Sequence, residues 1–234
     1  MMRQWFEQKF SGDGVRRPAR RRIVSSNLSY TSILIGINIV VFFGYLMLVA
    51  AVGDNVAVSW IALMPAAILA GEKLWTFVTS MFMHAGLGHL FVNMVSLMFI
   101  GNFVEKLIGK KRFIWLYFVG GLFAGLLFVL VAMATGMDLN VYAVGASGAI
   151  FALGGLLAVL TPRLPVLVFF IIPMPMWAAM GFLMFGIWAI SSSFGLPIGN
   201  TAHLGGLIIG LGYGFYLKRR YPKKTQMISR YFSR

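Results

Sequence analysis

Six stretches of this chain are apolar over about the length that a helix needs to cross a bilayer. They lie at 30–52, 82–104, 113–134, 144–160, 166–190 and 202–217. In lipid every backbone N–H and C=O must find its partner inside the protein, so long continuous apolar runs of this kind read as helices. The expectation is an all-α membrane protein, a bundle of six transmembrane helices. Composition agrees, because a soluble domain of 234 residues that is 59% hydrophobic and 11% charged has too little polar surface to clothe itself.

The fifth run carries Pro165, Pro173 and Pro175. Proline breaks a helix interior, so an extended segment is expected over 164–172 and a helix from about Pro175. The first loop, 53–79, is long, and its weakly apolar part at 56–69 is interrupted by Pro65. It is expected to lie in the membrane interface as a re-entrant element rather than to span.

Charge sets the orientation. Of the 20 lysines and arginines, only Lys73 falls in a loop that would face outward; the others precede the first run, follow the sixth, or lie in the two-to-three and four-to-five loops. The positive-inside rule then places both termini in the cytoplasm of a multi-pass cell-membrane protein. Three regions follow: a basic tail at 1–29, a helical domain at 30–217 and a second basic tail at 218–234. The stretch 12–22 reads as a solvated linker near anionic headgroups, and Trp5, Phe6 and Phe10 before it suit a short interfacial helix or a disordered tail. The polar, Arg-rich start and the spanning length of the first run do not read as a cleavable signal. With no cysteine there is no disulfide, thiolate metal site or cysteine nucleophile. The net charge of +14 is laid out for a membrane surface, and no nucleic-acid partner is expected.

Polar side chains inside spans are expensive, so their placement is informative. All three histidines cluster in this way. His84, His89 and Asn93 open the second run, Ser147 opens the fourth and His203 opens the sixth. These three runs all point inward from the outer face, so the five residues share one depth and can meet. His89 and Asn93, four apart, lie on one helix face, with His84 about a turn further out. Gly206, Gly210 and Gly214 follow His203 at helical spacing, a small-residue stripe for close helix packing. Gly145-Ala146-Ser147-Gly148 puts a serine at a helix N-terminus between glycines.

A serine hydroxyl needs a base, and histidine supplies one near neutrality. The reading is a Ser147–His203 catalytic dyad, with the imidazole oriented by packing against Phe151. Asp138, in the loop before Ser147, is the one carboxylate that remains a candidate to assist. The Ser147 backbone N–H with His89 and Asn93 would form the oxyanion hole, each donor being worth about 10²- to 10³-fold in rate. Alternatives stay open at this level. Gly-Ala-Ser-Gly alone is more often a helix contact than a nucleophile; His203 alone suits an interhelical hydrogen bond; and the two other histidines are compatible with a proton path or, weakly, with metal binding. No metal or other cofactor is called for.

Taken together, the H-x4-H-x3-N pattern of His84, His89 and Asn93, the G-x-S-G pattern of residues 145–148 and the A-H-x2-G-x3-G pattern of Ala202, His203, Gly206 and Gly210 resemble the rhomboid family. The likeness covers about residues 30–217. It implies a six-helix rhomboid bundle with a short, central serine-bearing helix, a water-filled cavity opening outward and a first loop in the outer leaflet. It further implies an oxyanion hole served by His89 and Asn93, and an intramembrane serine endopeptidase whose substrates are single-span transmembrane proteins entering beside the fifth helix. Trp75-Thr76 stands where many relatives have Trp-Arg, and Phe151 where many have tyrosine. The rival readings are a non-catalytic rhomboid-like protein that escorts membrane clients, and a small transporter.

Overall fold

The computed structural model describes residues 28–169, 171–194 and 199–232. The basic stretch at 12–22 and the aromatic residues Trp5, Phe6 and Phe10 lie outside them. The chain is mostly helical, in the order α1 (Tyr30–Val52), α2 (Asp54–Ile61), α3 (Pro65–Leu69), α4 (Thr76–Thr79), α5 (Leu87–Ser96), a π-helical turn (Leu97–Gly101), α6 (Asn102–Ile108), α7 (Lys110–Thr135) and α8 (Ser147–Leu160). A hairpin of β1 (Pro165–Val168) and β2 (Ile172–Pro175) follows. After it come α9 (Met176–Gly181), a π-helical turn (Phe182–Gly186), α10 (Ile187–Phe194), α11 (Asn200–Arg220) and α12 (Pro222–Tyr231).

Among the described residues four helical bodies are long and apolar enough to cross a membrane: Tyr30–Val52, Leu87–Ile108, Lys110–Thr135 and Met176–Ser193. The serine-bearing α8 is different. Its 14 residues reach roughly 21 Å at 1.5 Å per residue, short of a hydrocarbon core of about 30 Å. It is apolar on every side, and such a helix must be surrounded. Nearly all of its residues are buried, with α7, α11 and α9 against it.

What lets these helices sit so close is the absence of side chains. A Cβ on Gly206 would overlap the carbonyl oxygen of Gly148, and one on Gly210 the carbonyl of Ala152; at Gly214 it would come within 2.8 Å of Val159 Cβ. Contact is reciprocal, since a Cβ on Gly155 would stand 2.8 Å from the Leu207 carbonyl. On α7, Gly120 meets Ala152, while Gly121 lies against Met81. Helix α11 therefore packs on α8 backbone to backbone, the geometry that small-residue stripes permit in lipid, where apolar burial gives no net drive.

Several boundaries differ from the sequence reading. The second run becomes helical at Leu87 rather than at residue 82. Met81, Phe82 and Met83 are buried by other parts of the protein in a string of turns, so their apolarity reflects interior packing and not a lipid-facing helix. The fourth run begins at Ser147 rather than at 144, because Ala143 pairs with Leu63 in an antiparallel bridge and Gly145 has φ of 120°, outside helical space. The extended segment expected at 164–172 continues to Pro175 and folds back on itself as the hairpin, with Pro165 opposite Pro175. Proline at both open ends of a two-stranded sheet costs no ladder bond. Beyond residue 217, α11 runs on to Arg220 and α12 is helical, so much of the basic segment after the sixth run is ordered as helix.

The first loop is held by polar contacts as well as by its short helices. Trp75 Nε1 donates to the Trp60 carbonyl at 2.9 Å while the two indoles stack, 5.7 Å between centroids. Thr79 Oγ1 donates to the Ile61 carbonyl at 2.8 Å. At the opposite, basic end, the Glu105 carboxylate caps α1. It accepts from the backbone N–H of Tyr30 (3.0 Å) and Thr31 (2.9 Å) and from the hydroxyls of Ser29 and Thr31 (both 2.8 Å). Helix starts leave N–H groups without partners, and an anion there is favoured by the helix dipole.

Two stability measurements test this packing. Gly210→Ala should lower the unfolding midpoint in detergent by the equivalent of about 1–3 kcal/mol, the usual cost of overpacking. Gly212→Ala, whose added Cβ would meet nothing within 4 Å, should be neutral or stabilising; equal losses would show that the α8–α11 backbone contact is not what matters. Glu105→Ala should cost about 1–3 kcal/mol because the N–H groups of α1 lose their acceptor, read as a lower midpoint with the helix content otherwise kept.

Candidate active site

Ser147 is the first residue of α8, and its position is set from both sides. Upstream, the Gly145 N–H donates to the Ser80 carbonyl at 2.8 Å, and Ala143 and Leu63 exchange backbone bonds of 2.8 and 3.1 Å, so the approach to α8 is sewn to the first loop. Gly145 at φ 120° needs glycine twice over, since a Cβ there would also come within 2.9 Å of the His89 ring. Downstream, Gly148 takes the close contact with Gly206. The N-cap of α8 is Ala146, which offers no side chain to the first N–H groups of the helix. Those donors therefore have no side-chain cap next to the serine.

His203 lies in the first turn of α11, and its Nε2 stands 2.7 Å from Ser147 Oγ. With the hydroxyl as donor, Nε2 is the acceptor and the ring proton sits on Nδ1. Phe151, one turn along α8 from the serine, stacks face to face on the imidazole, with centroids 4.5 Å apart and 13° between planes. Ser147, His203 and Phe151 are all partly exposed.

Among the described residues no carboxylate forms a hydrogen bond with His203. Asp138 sits in the turn after α7 with φ of 61°, its backbone carbonyl accepting from Val141 N–H. The described ring contact of His203 is instead the aromatic face of Phe151.

His89 is near the start of α5. Its Nδ1 accepts from the Ala85 N–H at 3.4 Å, which leaves Nε2 protonated, and that edge borders Gly145 beside Ser147 Oγ. Asn93 follows one turn on and is buried; its Nδ2 donates to the His89 carbonyl at 2.9 Å, which engages one of its two amide protons within its own helix. His84 is not on the α5 face with them. It precedes the helix, wholly buried, with its ring edge-on to His89 at 5.1 Å. The reason is the late start of α5, which leaves His84 in the preceding turns. Its place in the cluster comes through the His89 ring and not through helical spacing. Among the described residues no group of three or more His, Asp or Glu side chains is arranged to hold a metal ion.

Two polar links near the site had no signature in spacing. Asn200 Nδ2, at the start of α11, donates to Ser191 Oγ of α10 at 2.6 Å, which ties the end of the Met176–Ser193 body to the helix that carries His203. The Trp60–Trp75 lock of the first loop is the other. It holds that loop without a cation at position 76, where Thr76 donates instead to the Lys73 carbonyl at 2.7 Å.

The sequence that carries this arrangement is similar to that of known proteins. The family model described as the Rhomboid domain matches residues 71–220, which include all of the residues just described except Trp60, Ile61 and Leu63 of the first loop. Among curated relatives, the chain is similar to rhomboid protease GlpG of Yersinia enterocolitica, 29% identical over 77% of this chain and 61% of that protein. It is also similar to RHOMBOID-like protein 1 of Arabidopsis thaliana, 37% identical over 64% of this chain and 36% of the relative, and to RHOMBOID-like protein 5 of the same plant, 33% identical over 64% and 46%. The chain thus spans less than two thirds of the length of each of these relatives. With the family model covering well over half of its residues and its apolar helices packed around a short central one, the chain is a membrane protein that belongs to the rhomboid family.

Proposed function

We propose that this chain is an intramembrane serine endopeptidase that hydrolyses peptide bonds in or near the transmembrane segments of membrane-protein substrates. The observation that carries the reading is the 2.7 Å contact between Ser147 Oγ and His203 Nε2, with the imidazole held in place by the Phe151 face. In this reading His203 takes the serine proton as Oγ attacks the substrate carbonyl. The developing oxyanion is met by the Ser147 backbone N–H, His89 Nε2–H and the remaining amide proton of Asn93. His203 then returns the proton to the departing amine, and a water molecule activated by the same imidazole releases the acyl group. Partial exposure of the pair is consistent with water reaching it.

The wider reading follows the charge pattern. Residues 30–217 form the catalytic domain with six crossings, α8 being the short central one; both basic termini face the cytoplasm of the cell membrane; and the first loop lies in the outer leaflet. Substrates are single-span proteins, because a helical backbone hides its carbonyls and a lone helix can be unwound locally without dismantling a bundle.

In proteoliposomes, a single-span reporter should be cleaved by the parent chain and left intact by Ser147→Ala and by His203→Ala separately, and a fluorophosphonate should label Ser147 in the parent alone. A reporter that binds but is not cut, together with no labelling, would select the client-escorting alternative; transport that survives Ser147→Ala would select the transporter. A second expectation concerns the stacked ring. Phe151→Leu should lower kcat by up to about 10²-fold through misplacement of the imidazole, while Phe151→Tyr, which keeps the face, should stay near the parent rate; equal loss in both would refute the orienting role.

A further inference from the structure

At the basic end of the bundle, α7 begins beside the end of α11. Between them lies an open cleft of about 420 Å³ lined by Arg112, Trp115, Tyr213, Tyr216, Leu217 and Tyr221. Its chemistry is lopsided. The Arg112 guanidinium stands 5.5 Å from the Tyr221 ring centre and donates to Tyr221 Oη at 3.4 Å, and the Arg220 guanidinium faces the same ring at 5.7 Å. Two cations thus adjoin one aromatic ring. The acids among the described residues are Asp54, Glu72, Glu105 and Asp138. Glu105 is engaged by the start of α1, Asp54 accepts from Tyr45, and Glu72 and Asp138 lie in the loops before α5 and after α7, so no described carboxylate pairs with either arginine.

An arginine has five donors in a fork that matches a phosphate, and here one of those of Arg112 is used weakly by a phenol. Lys110, Lys111 and Lys218 adjoin these arginines in sequence and strengthen the positive potential. The other wall is amphipathic. Trp115 and Tyr216 are about half exposed, Trp115 packs on Tyr213 at 5.3 Å, and Tyr213 stacks on Tyr216 at 6.0 Å. Indole and phenol rings in this position suit the boundary between headgroups and acyl chains.

We propose that this cleft is a binding site for the phosphate headgroup of an anionic membrane phospholipid. Arg112 holds the phosphate from the cleft wall, Arg220 adds positive charge beside the same tyrosine, and the Trp115–Tyr213–Tyr216 wall carries the glycerol and the first part of an acyl chain. Charge complementarity selects an anion. The aromatic wall selects a lipid over a free phosphate, because Trp115 and Tyr216 present half-exposed indole and phenol rings of the kind that sit between headgroups and acyl chains. The site is separate from Ser147 and His203, and its test reads lipid retention instead of cleavage, so it stands or falls apart from the proposed proteolysis.

The experiment is native mass spectrometry of the full chain released from detergent with phosphatidylglycerol or phosphatidylcholine of the same acyl chains. The parent should keep one phosphatidylglycerol in preference to phosphatidylcholine. Arg112→Gln should lose that retention about fivefold, the usual worth of one basic side chain at an anionic surface. Arg219→Gln, which removes the same charge outside the cleft, should not. Arg112→Lys, with the charge but not the fork, should retain an intermediate amount and serves as the comparison if the glutamine variant melts early. Equal retention of the two lipids, equal loss in Arg112→Gln and Arg219→Gln, or parent-like retention in a normally melting Arg112→Lys would each overturn the proposal. Displacement of the lipid by excess inorganic phosphate would also overturn it, showing a site for a small anion.

Discussion

The closeness of α11 to α8 sets everything around the serine. Gly206 rests on the carbonyl of Gly148, so the place where the two backbones touch is one residue from Ser147 and one turn from His203. A side chain at that point would force the helices apart by more than the tolerance of a hydrogen bond. The 2.7 Å Ser–His contact is thus a consequence of packing without side chains, repeated a turn further on by Gly210 against Ala152. Because interiors are close-packed and do not deform smoothly, this spacing is held rather than merely favoured.

Around that contact the protein arranges polar groups with few partners to spare. Gly145 lets the chain turn beneath the His89 ring, His89 uses one nitrogen on the Ala85 N–H and keeps the other edge beside the serine, and Phe151 supplies a flat face where a carboxylate is often expected. The loops add rigidity from outside the helices: the Leu63–Ala143 bridge and the Gly145–Ser80 bond join the first loop to the lead-in of α8. Backbone away from helices is satisfied here by other backbone, the condition for irregular structure near lipid.

Much of this was legible beforehand, for physical reasons. The first run was read as 30–52 and α1 is Tyr30–Val52, because a helix facing lipid carries its limits in its hydropathy. Gly206, Gly210 and Gly214 were readable as packing residues because a stripe without Cβ atoms at helical spacing has few other uses in lipid. Less legible were segments whose apolarity comes from burial in protein. Met81, Phe82 and Met83 look like the start of a span and are turns; Val144 looks like helix and follows a backbone bridge. His84 was read as a further turn of the same helix and lies before α5, which starts at Leu87. The paired glycines at 120–121 and 205–206 offered an unread signal, since each member of a pair faces a different neighbour: Ala152 and Met81 for the first, Ala124 and Gly148 for the second.

The sequence by itself determined that this chain lives in lipid, that the bodies of its long apolar runs are helical, which polar residues have no business in a span, and that backbone contact between helices was available. Those properties are local: they follow from transfer energies and from periodicity within one segment. Only the tertiary structure decided that Phe151 lies flat on His203, that His84 reaches the site through His89, that Glu105 closes the start of α1, and that Arg112 and Arg220 converge on one tyrosine. Each of these joins residues from separate elements or places them in three dimensions, and such a meeting is set by how helices pack against one another, which no single segment encodes.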